Sequence, residues 1–191
     1  DLVADWFQDY LGLEESATRI QTCEQTFVPG LLQTEDYARA IATHGWSPLA
    51  CQSAQGQVAV RMRRQALLAR PDAPKLWAVI DESVLHRPIG GRQVMLAQIE
   101  HLLELTKRHN ITVQMVPYQS SGYVAEGSFA MLRFAEPELP DVVYIEHLSG
   151  ALYLDKRSDI ELYSRVFDRL IVDAHTPENT RQLLAKARTA I

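Results

Sequence analysis

Apolar residues at steps of three and four open the chain. Trp6, Tyr10, Leu13, Ala17 and Ile20 line one face of a helix predicted from Trp6 to Phe27, with Gly12 as a candidate break. Val28-Pro29-Gly30 stops the pattern, since both Pro and Gly leave the helical ladder. Thr34 then offers an N-cap hydroxyl, and Glu35 and Asp36 supply first-turn carboxylates that the helix dipole favours, so a short helix is expected from Thr34 to Thr43. Ser47-Pro48 repeats the start signal. A longer helix should run through Val58, Met62 and Leu68 and end before Pro71.

After Pro74 the pattern shortens. Leu76-Trp77-Ala78-Val79-Ile80 is brief, apolar and β-prone, as in a buried strand, and Ile89-Gly90-Gly91 reads as a turn. Gln93 to His109 is expected to be a helix with Met95, Ile99, Leu102 and Leu103 inward. Lys107, Arg108 and His109 would complement its negative end, and Asn110 would take the left-handed position beyond it. Strands follow at Ile111–Val116, Gly127–Phe134, Val142–Glu146 and Ala151–Leu154, the last three close enough in sequence to be antiparallel neighbours. Ser158-Asp159-Ile160-Glu161 has the form of a capping box ahead of a helix burying Ile160, Tyr163, Phe167, Leu170 and Ile171. Thr176-Pro177-Glu178 starts a last helix. The fold class is α+β: N-terminal helices, a mixed, mostly antiparallel sheet of about five strands with a crossover helix, and C-terminal helices. Residues 1–74 form the helical segment and 75–191 the sheet-plus-helix core, together one continuous domain.

Composition narrows the function. The 191 residues are 47% hydrophobic and 23% charged, enough apolar material for a core without metal or disulfide support. The net charge of −5, with Arg61, Arg63 and Arg64 as the densest basic run, speaks against a phosphate-gripping surface. No apolar run nears the roughly 18–20 residues of a membrane span, and no secretory signal precedes Trp6. Cys23 and Cys51 match no metal or redox spacing and read as unpaired thiols of a cytoplasmic protein. The chain opens Asp1-Leu2-Val3 without an initiator Met, which implies processing or a start inside a longer protein.

No catalytic constellation stands out. Asp81-Glu82 follows a strand, where carboxylates commonly cap the next turn. Together with Glu146 and His147 they suggest a nuclease-like metal core, but no Lys follows Glu146 before Lys156 to hold a nucleophilic water. The six histidines lack zinc-site spacing, and no nucleophile elbow, Walker loop or dinucleotide fingerprint is present. Expected catalytic, cofactor-binding and metal-binding residues are therefore none. Two features remain. Leu31 and Leu32, inside the Pro-Gly break and followed by Gln33, Thr34 and Tyr37, either plug the core or present an apolar surface. Arg61, Arg64 and Gln65 share one helix face. Leu31, Leu32, Gln33, Tyr37, Arg61 and Arg64 are thus the expected partner-binding residues, since Tyr and Arg concentrate interface energy. Trp77, Phe129, Tyr144 and Tyr153 are expected in the core.

These segments carry a resemblance. Val28-Pro29-Gly30-Leu31-Leu32-Gln33-Thr34 with Tyr37-Ala38-Arg39-Ala40, Arg61 to Gln65, Asp81-Glu82 with Leu85 and Arg87, Gly90-Gly91, Gln98 to Leu102, Asn110 to Pro117, Gly127-Ser128-Phe129 and Val143 to Glu146 occur in order. The series resembles the C-terminal domain of actinobacterial WhiJ-type helix-turn-helix regulators, an antitoxin-like family whose C-terminal domain is long catalogued as one of unknown function. The resemblance implies a regulatory, non-enzymatic domain in the control of development or antibiotic production. It implies a small BldB-like partner protein, with DNA contacted only through a preceding helix-turn-helix domain absent from this sequence. A small-molecule effector held between sheet and helices is the alternative, and a homodimer is compatible with either. The family offers no catalytic residues to carry over.

Overall fold

The computed structural model describes residues 5–44, 53–120, 126–147 and 149–191. Helix α1 (Asp5–Ser16) leads into strand β1 (Arg19–Glu24). A single 3-10 turn (Gly30–Leu32) precedes α2 (Glu35–His44), and α3 (Ala54–Gln65) ends in a second 3-10 turn (Ala66–Ala69). Then come β2 (Lys75–Asp81), a third 3-10 turn (Glu82–His86), α4 (Arg92–Leu105) and β3 (Ile111–Val116). Strands β4 (Phe129–Arg133), β5 (Val142–His147) and β6 (Gly150–Leu154) follow, and α5 (Arg157–Asp173) and α6 (Pro177–Ala190) close the chain.

The six strands form one mixed sheet in the order β3-β2-β1-β4-β5-β6. Strands β1, β2 and β3 run parallel, with α4 as the crossover between β2 and β3, while β4, β5 and β6 are antiparallel neighbours. This is the α+β class that the pattern predicts, with one strand more than expected.

The additional strand is β1, and it corrects the helix predicted from Trp6 to Phe27. That helix ends at Ser16, and Arg19 to Glu24 runs extended through the centre of the sheet. Ile20 repeats the helical spacing by coincidence. It is in fact buried on the same sheet face as Leu76 of β2 and Leu132 of β4. Gly12 breaks nothing and lies inside α1. The sheet is packed on both faces at β1, so Ile20, Gln21, Thr22 and Cys23 are all buried without polar alternation. Its buried polar side chains are satisfied. Thr22 donates to the Phe129 carbonyl (3.2 Å), and Gln21 accepts from Arg133 Nε (3.0 Å).

Each face of the sheet has its own core. One face, with Ile20, Ala78, Ile80, Met115 and Leu132, is covered by α1, α4 and α6 and by the Leu31-Leu32 turn. The other, with Cys23, Val79, Met131 and Val143, is covered by Phe167 and Leu170 of α5. Trp77, Phe129, Tyr144 and Tyr153 pack into these cores as expected.

Local signals fare unevenly. Thr176 caps α6 by accepting from Asn179 N–H (3.2 Å), and Thr34 accepts from Tyr37 N–H (3.3 Å) at the start of α2. Asp81 accepts from Ser83 N–H (2.8 Å), the capping role expected of it. Gly90 and Gly91 take positive φ (71° and 84°), and a Cβ at Gly90 would strike Val94, so the turn there requires glycine. Two expectations fail. Ser158 is inside α5 rather than its cap, because Lys156 holds that position and Glu161 pairs with Arg157 instead. Asn110 is not left-handed. Helix α4 ends at Leu105, and the Asn110 side chain donates to the carbonyls of Leu68 and Pro74. The Ser47-Pro48 start signal and Cys51 lie outside the described residues; Cys23 is a free, buried thiol.

Candidate functional site

The Val28–Gln33 loop is held from three sides by glutamine side chains. Gln33 Nε2 donates to the Val28 carbonyl (2.7 Å). Gln65 Nε2, from α3, donates to the carbonyls of Gly30 (3.1 Å) and Gln33 (2.6 Å). Gln98, fully buried on α4, donates to the Leu32 carbonyl (2.8 Å) and accepts from Thr34 N–H (2.7 Å). A carboxamide suits this place because it donates and accepts at once without bringing a charge into the core. The Tyr37 hydroxyl accepts from Val28 N–H (3.3 Å). Leu31 and Leu32 are thereby driven into the core, at 5% and 0% exposure, and Tyr37 is fully buried beside them.

The residues expected at a partner surface take different places. Of its six residues, Leu31, Leu32, Gln33 and Tyr37 are buried and offer no exposed patch. Arg61 and Arg64 do share a face with Gln65 and do meet the loop, as the spacing suggests, but that face points inward. Arg61 Nη1 donates to Gln33 Oε1 (3.3 Å). Arg64 reaches α1, where Nε and Nη2 each donate to a different Glu14 carboxylate oxygen (both 2.7 Å). Its guanidinium also lies 5.3 Å from the ring centroids of Phe7 and Tyr10.

Between loop, helices and sheet lies a cavity of about 560 Å³. Its floor is the β1-β4-β5 face, with Thr22, Ala130 and Tyr144 in one cross-strand row. Phe7, Tyr10 and Glu14 of α1 form one wall, and Val60, Arg61 and Arg64 of α3 another. Phe27 to Leu31 and Gln33 of the loop make the rim. Aromatic rings dominate one side: Tyr10 and Tyr144 are 4.1 Å apart at their centroids, and Phe7 stacks on Tyr10 at 5.7 Å.

Charge is concentrated here too. The Glu24 carboxyl is pushed up to about 7, chiefly by burial and also by the nearby Glu146, against the hydrogen bonds with Ser128 and Thr22 and the charge of Arg61. Burial and the neighbouring Glu146 hold the Tyr144 phenol well above its usual range, and its hydroxyl donates to Glu146 (3.0 Å). Burial likewise raises the Tyr10 phenol, whose hydroxyl donates to Glu14 (2.9 Å). Arg64 loses stabilisation by burial but more than regains it from Glu14, which keeps its guanidinium charged.

Glu24, Thr22 and Tyr10 escaped the sequence reading as site residues because all three sat within the predicted helix. With Arg19 to Glu24 taken as a strand, alternation alone would have put Thr22 and Glu24 on one face. The acids considered for a nuclease core are not brought together. Asp81 ends β2 and Glu146 is on β5, with β1 and β4 between them. Among the described residues no group of three His, Cys, Asp or Glu side chains is placed to hold a metal.

The fold defines the class first: an α+β domain whose six-stranded mixed sheet carries a cavity on one face, with no helix among the described residues long and apolar enough to cross a membrane. The family described as a domain of unknown function (DUF5753) matches residues 7–186, and the chain belongs to that family. No curated protein matches the sequence.

Proposed function

We propose that this chain is the effector-sensing domain of a WhiJ-type helix-turn-helix regulator of actinobacteria, acting in the cytoplasm. A small molecule bound in the cavity would set how the attached DNA-binding domain is presented. The observation that carries this reading is the cavity of about 560 Å³, which joins aromatic walls to a few buried charged and hydroxyl groups. Sites for small organic ligands have this size and mixture. A half-buried carboxyl raised to about 7 inside such a cleft is a further mark of a binding site. The reading is of a binding rather than a catalytic domain. A small BldB-like partner protein would have to dock elsewhere than at Leu31, Leu32 and Tyr37, since these side chains are buried.

The test is a thermal-shift screen of a metabolite library on the chain as it stands, beside an Ala130→Phe variant that fills the cavity floor. A compound that raises the melting temperature of the parent and not of the variant supports the reading. If every stabilising compound acts equally on both proteins, or none acts on the parent, the cavity is not the site of sensing.

A further inference from the structure

Among the described residues the cavity's charges are not balanced. Its ionisable lining comprises Glu14, Glu24 and Glu146 against Arg61 and Arg64, with His147 at the edge. Arg64 and Glu14 close on each other through two hydrogen bonds and leave no net charge between them. Two carboxyl groups and Arg61 remain. Arg61 is shared, since it donates to Gln33 and only partly offsets Glu24.

The two remaining acids are placed by the sheet. Thr22 of β1, Ala130 of β4 and Tyr144 of β5 form one row. Two residues beyond this row come Glu24 of β1 and Glu146 of β5, and Ser128, immediately before β4, hydrogen-bonds to Glu24. Side chains two apart on a strand share a face, so both carboxyl groups project into the same end of the cavity, as their shared place in its lining confirms. They repel each other, and the repulsion is one reason that Glu24 resists ionisation. An anionic ligand at this end would add a third negative group. A cation would relieve the repulsion. The walls suit a cation's organic body: Phe7 and Tyr144 line the interior, and Phe27, 39% exposed, stands at the rim.

Building on the effector-sensing reading, we propose that the ligand is an organic amine whose protonated nitrogen sits between Glu24 and Glu146 and whose apolar body lies against Phe7, Phe27 and Tyr144. Its binding converts Glu24 to the carboxylate. The groups facing Glu24 are Glu146 from β5, Arg61 from α3, Tyr10 from α1 and Tyr37 from α2. Of these Glu146 opposes ionisation and Arg61 favours it. The protein therefore releases a proton when the amine binds, and affinity rises with pH through the range in which Glu24 titrates.

The probes are phenethylamine, tryptamine and 2-(1-naphthyl)ethylamine, each beside its neutral ethylarene and its carboxylate counterpart, measured by titration calorimetry on the intact chain. The expected result is that the best amine binds roughly tenfold or more tightly than its neutral and acidic partners. Glu24→Gln and Glu146→Gln, each of which keeps the side-chain shape, should both remove that preference. Tightening from about pH 6 to about pH 8, with proton release seen in buffers of different ionisation enthalpy, should vanish in Glu24→Gln. The inference is overturned if the amines bind no better than their neutral partners, if their preference survives both substitutions, or if no amine binds. The neutral and carboxylate probes separate the two ideas. Their binding to the parent but not to Ala130→Phe leaves the cavity a sensing site for another class of ligand. Their failure, joined to an empty metabolite screen, removes the sensing reading as well.

Discussion

Arg64 of α3 and Glu14 of α1 form a two-point ion pair across 50 residues of sequence, both nitrogen–oxygen distances being 2.7 Å. Glu14 is almost wholly buried, and Arg64 covers the faces of Phe7 and Tyr10 while it holds the carboxylate. One side chain thus fixes the angle between two walls of the cavity. A planar fork that matches a carboxylate and stacks on rings is a role that lysine does not fill.

Removing one member leaves the other charged and buried. Arg64→Ala and Glu14→Ala should each cost about 3–5 kcal/mol in urea unfolding. The double variant Glu14→Ala with Arg64→Ala should cost clearly less than the two single changes added together. Strict additivity in this double-mutant cycle would show the pair to be uncoupled.

Glu24 links stability to pH in the direction opposite to most carboxylates. Its folded pKa is raised from 4.5 to about 7, so the folded state holds the proton longer than the unfolded one. Below the unfolded pKa both states are protonated and the group costs nothing. As pH rises from about 4.5 to about 7 the unfolded state ionises first, and stability falls by at most about 3 kcal/mol. Glu24→Gln should therefore be more stable than the parent at about pH 8 and equal to it at about pH 4. Urea midpoints at both values check this, and a parent protein that gains stability over that window through this residue would contradict it.

Gln98 holds the loop through its Thr34 and Leu32 contacts. Gln98→Leu keeps the volume and strands both backbone groups, at a cost of about 2–4 kcal/mol. Because the loop forms the cavity rim, the variant that remains folded should also bind cavity ligands more weakly. Chemical denaturation and calorimetry on one sample separate the two effects.

Burial pushes the Cys23 thiol up to about 12, with Glu24 and Asp81 adding to the effect. The thiolate is the reactive form, so native Cys23 should resist alkylation near neutral pH and react readily in urea. Peptide mapping after a timed iodoacetamide pulse reads this directly. Rapid native labelling at Cys23 would show that β1 opens far more easily than a central strand should.

Much of the fold was legible because β2–β6 are short runs rich in apolar and β-prone residues, and α4, α5 and α6 repeat apolar residues at helical spacing. β1 was not legible. A central strand covered on both faces lacks alternation, and Ala17 and Ile20 happen to continue the spacing of α1. The site was half legible. Loop composition and helical spacing brought Leu31, Gln33, Arg61 and Arg64 together correctly. Which way that assembly faces was hidden, because inward and outward faces of a Leu-rich loop differ only in what the rest of the chain puts against them. The buried carboxamides of Gln33, Gln65 and Gln98 decide it, and a glutamine looks alike in sequence whether it serves solvent or a carbonyl.

The position of β1 bears on how the chain reaches this state. Its antiparallel partner arrives late: Thr22 bonds to Phe129, 107 residues downstream. On a ribosome β1 would emerge early and wait, one edge open, until β4 had been synthesised. Long-range pairing of this kind slows folding, and an unpaired strand edge invites association with other chains. Production of the protein should therefore be sensitive to temperature and to chaperone supply even where the finished molecule is stable.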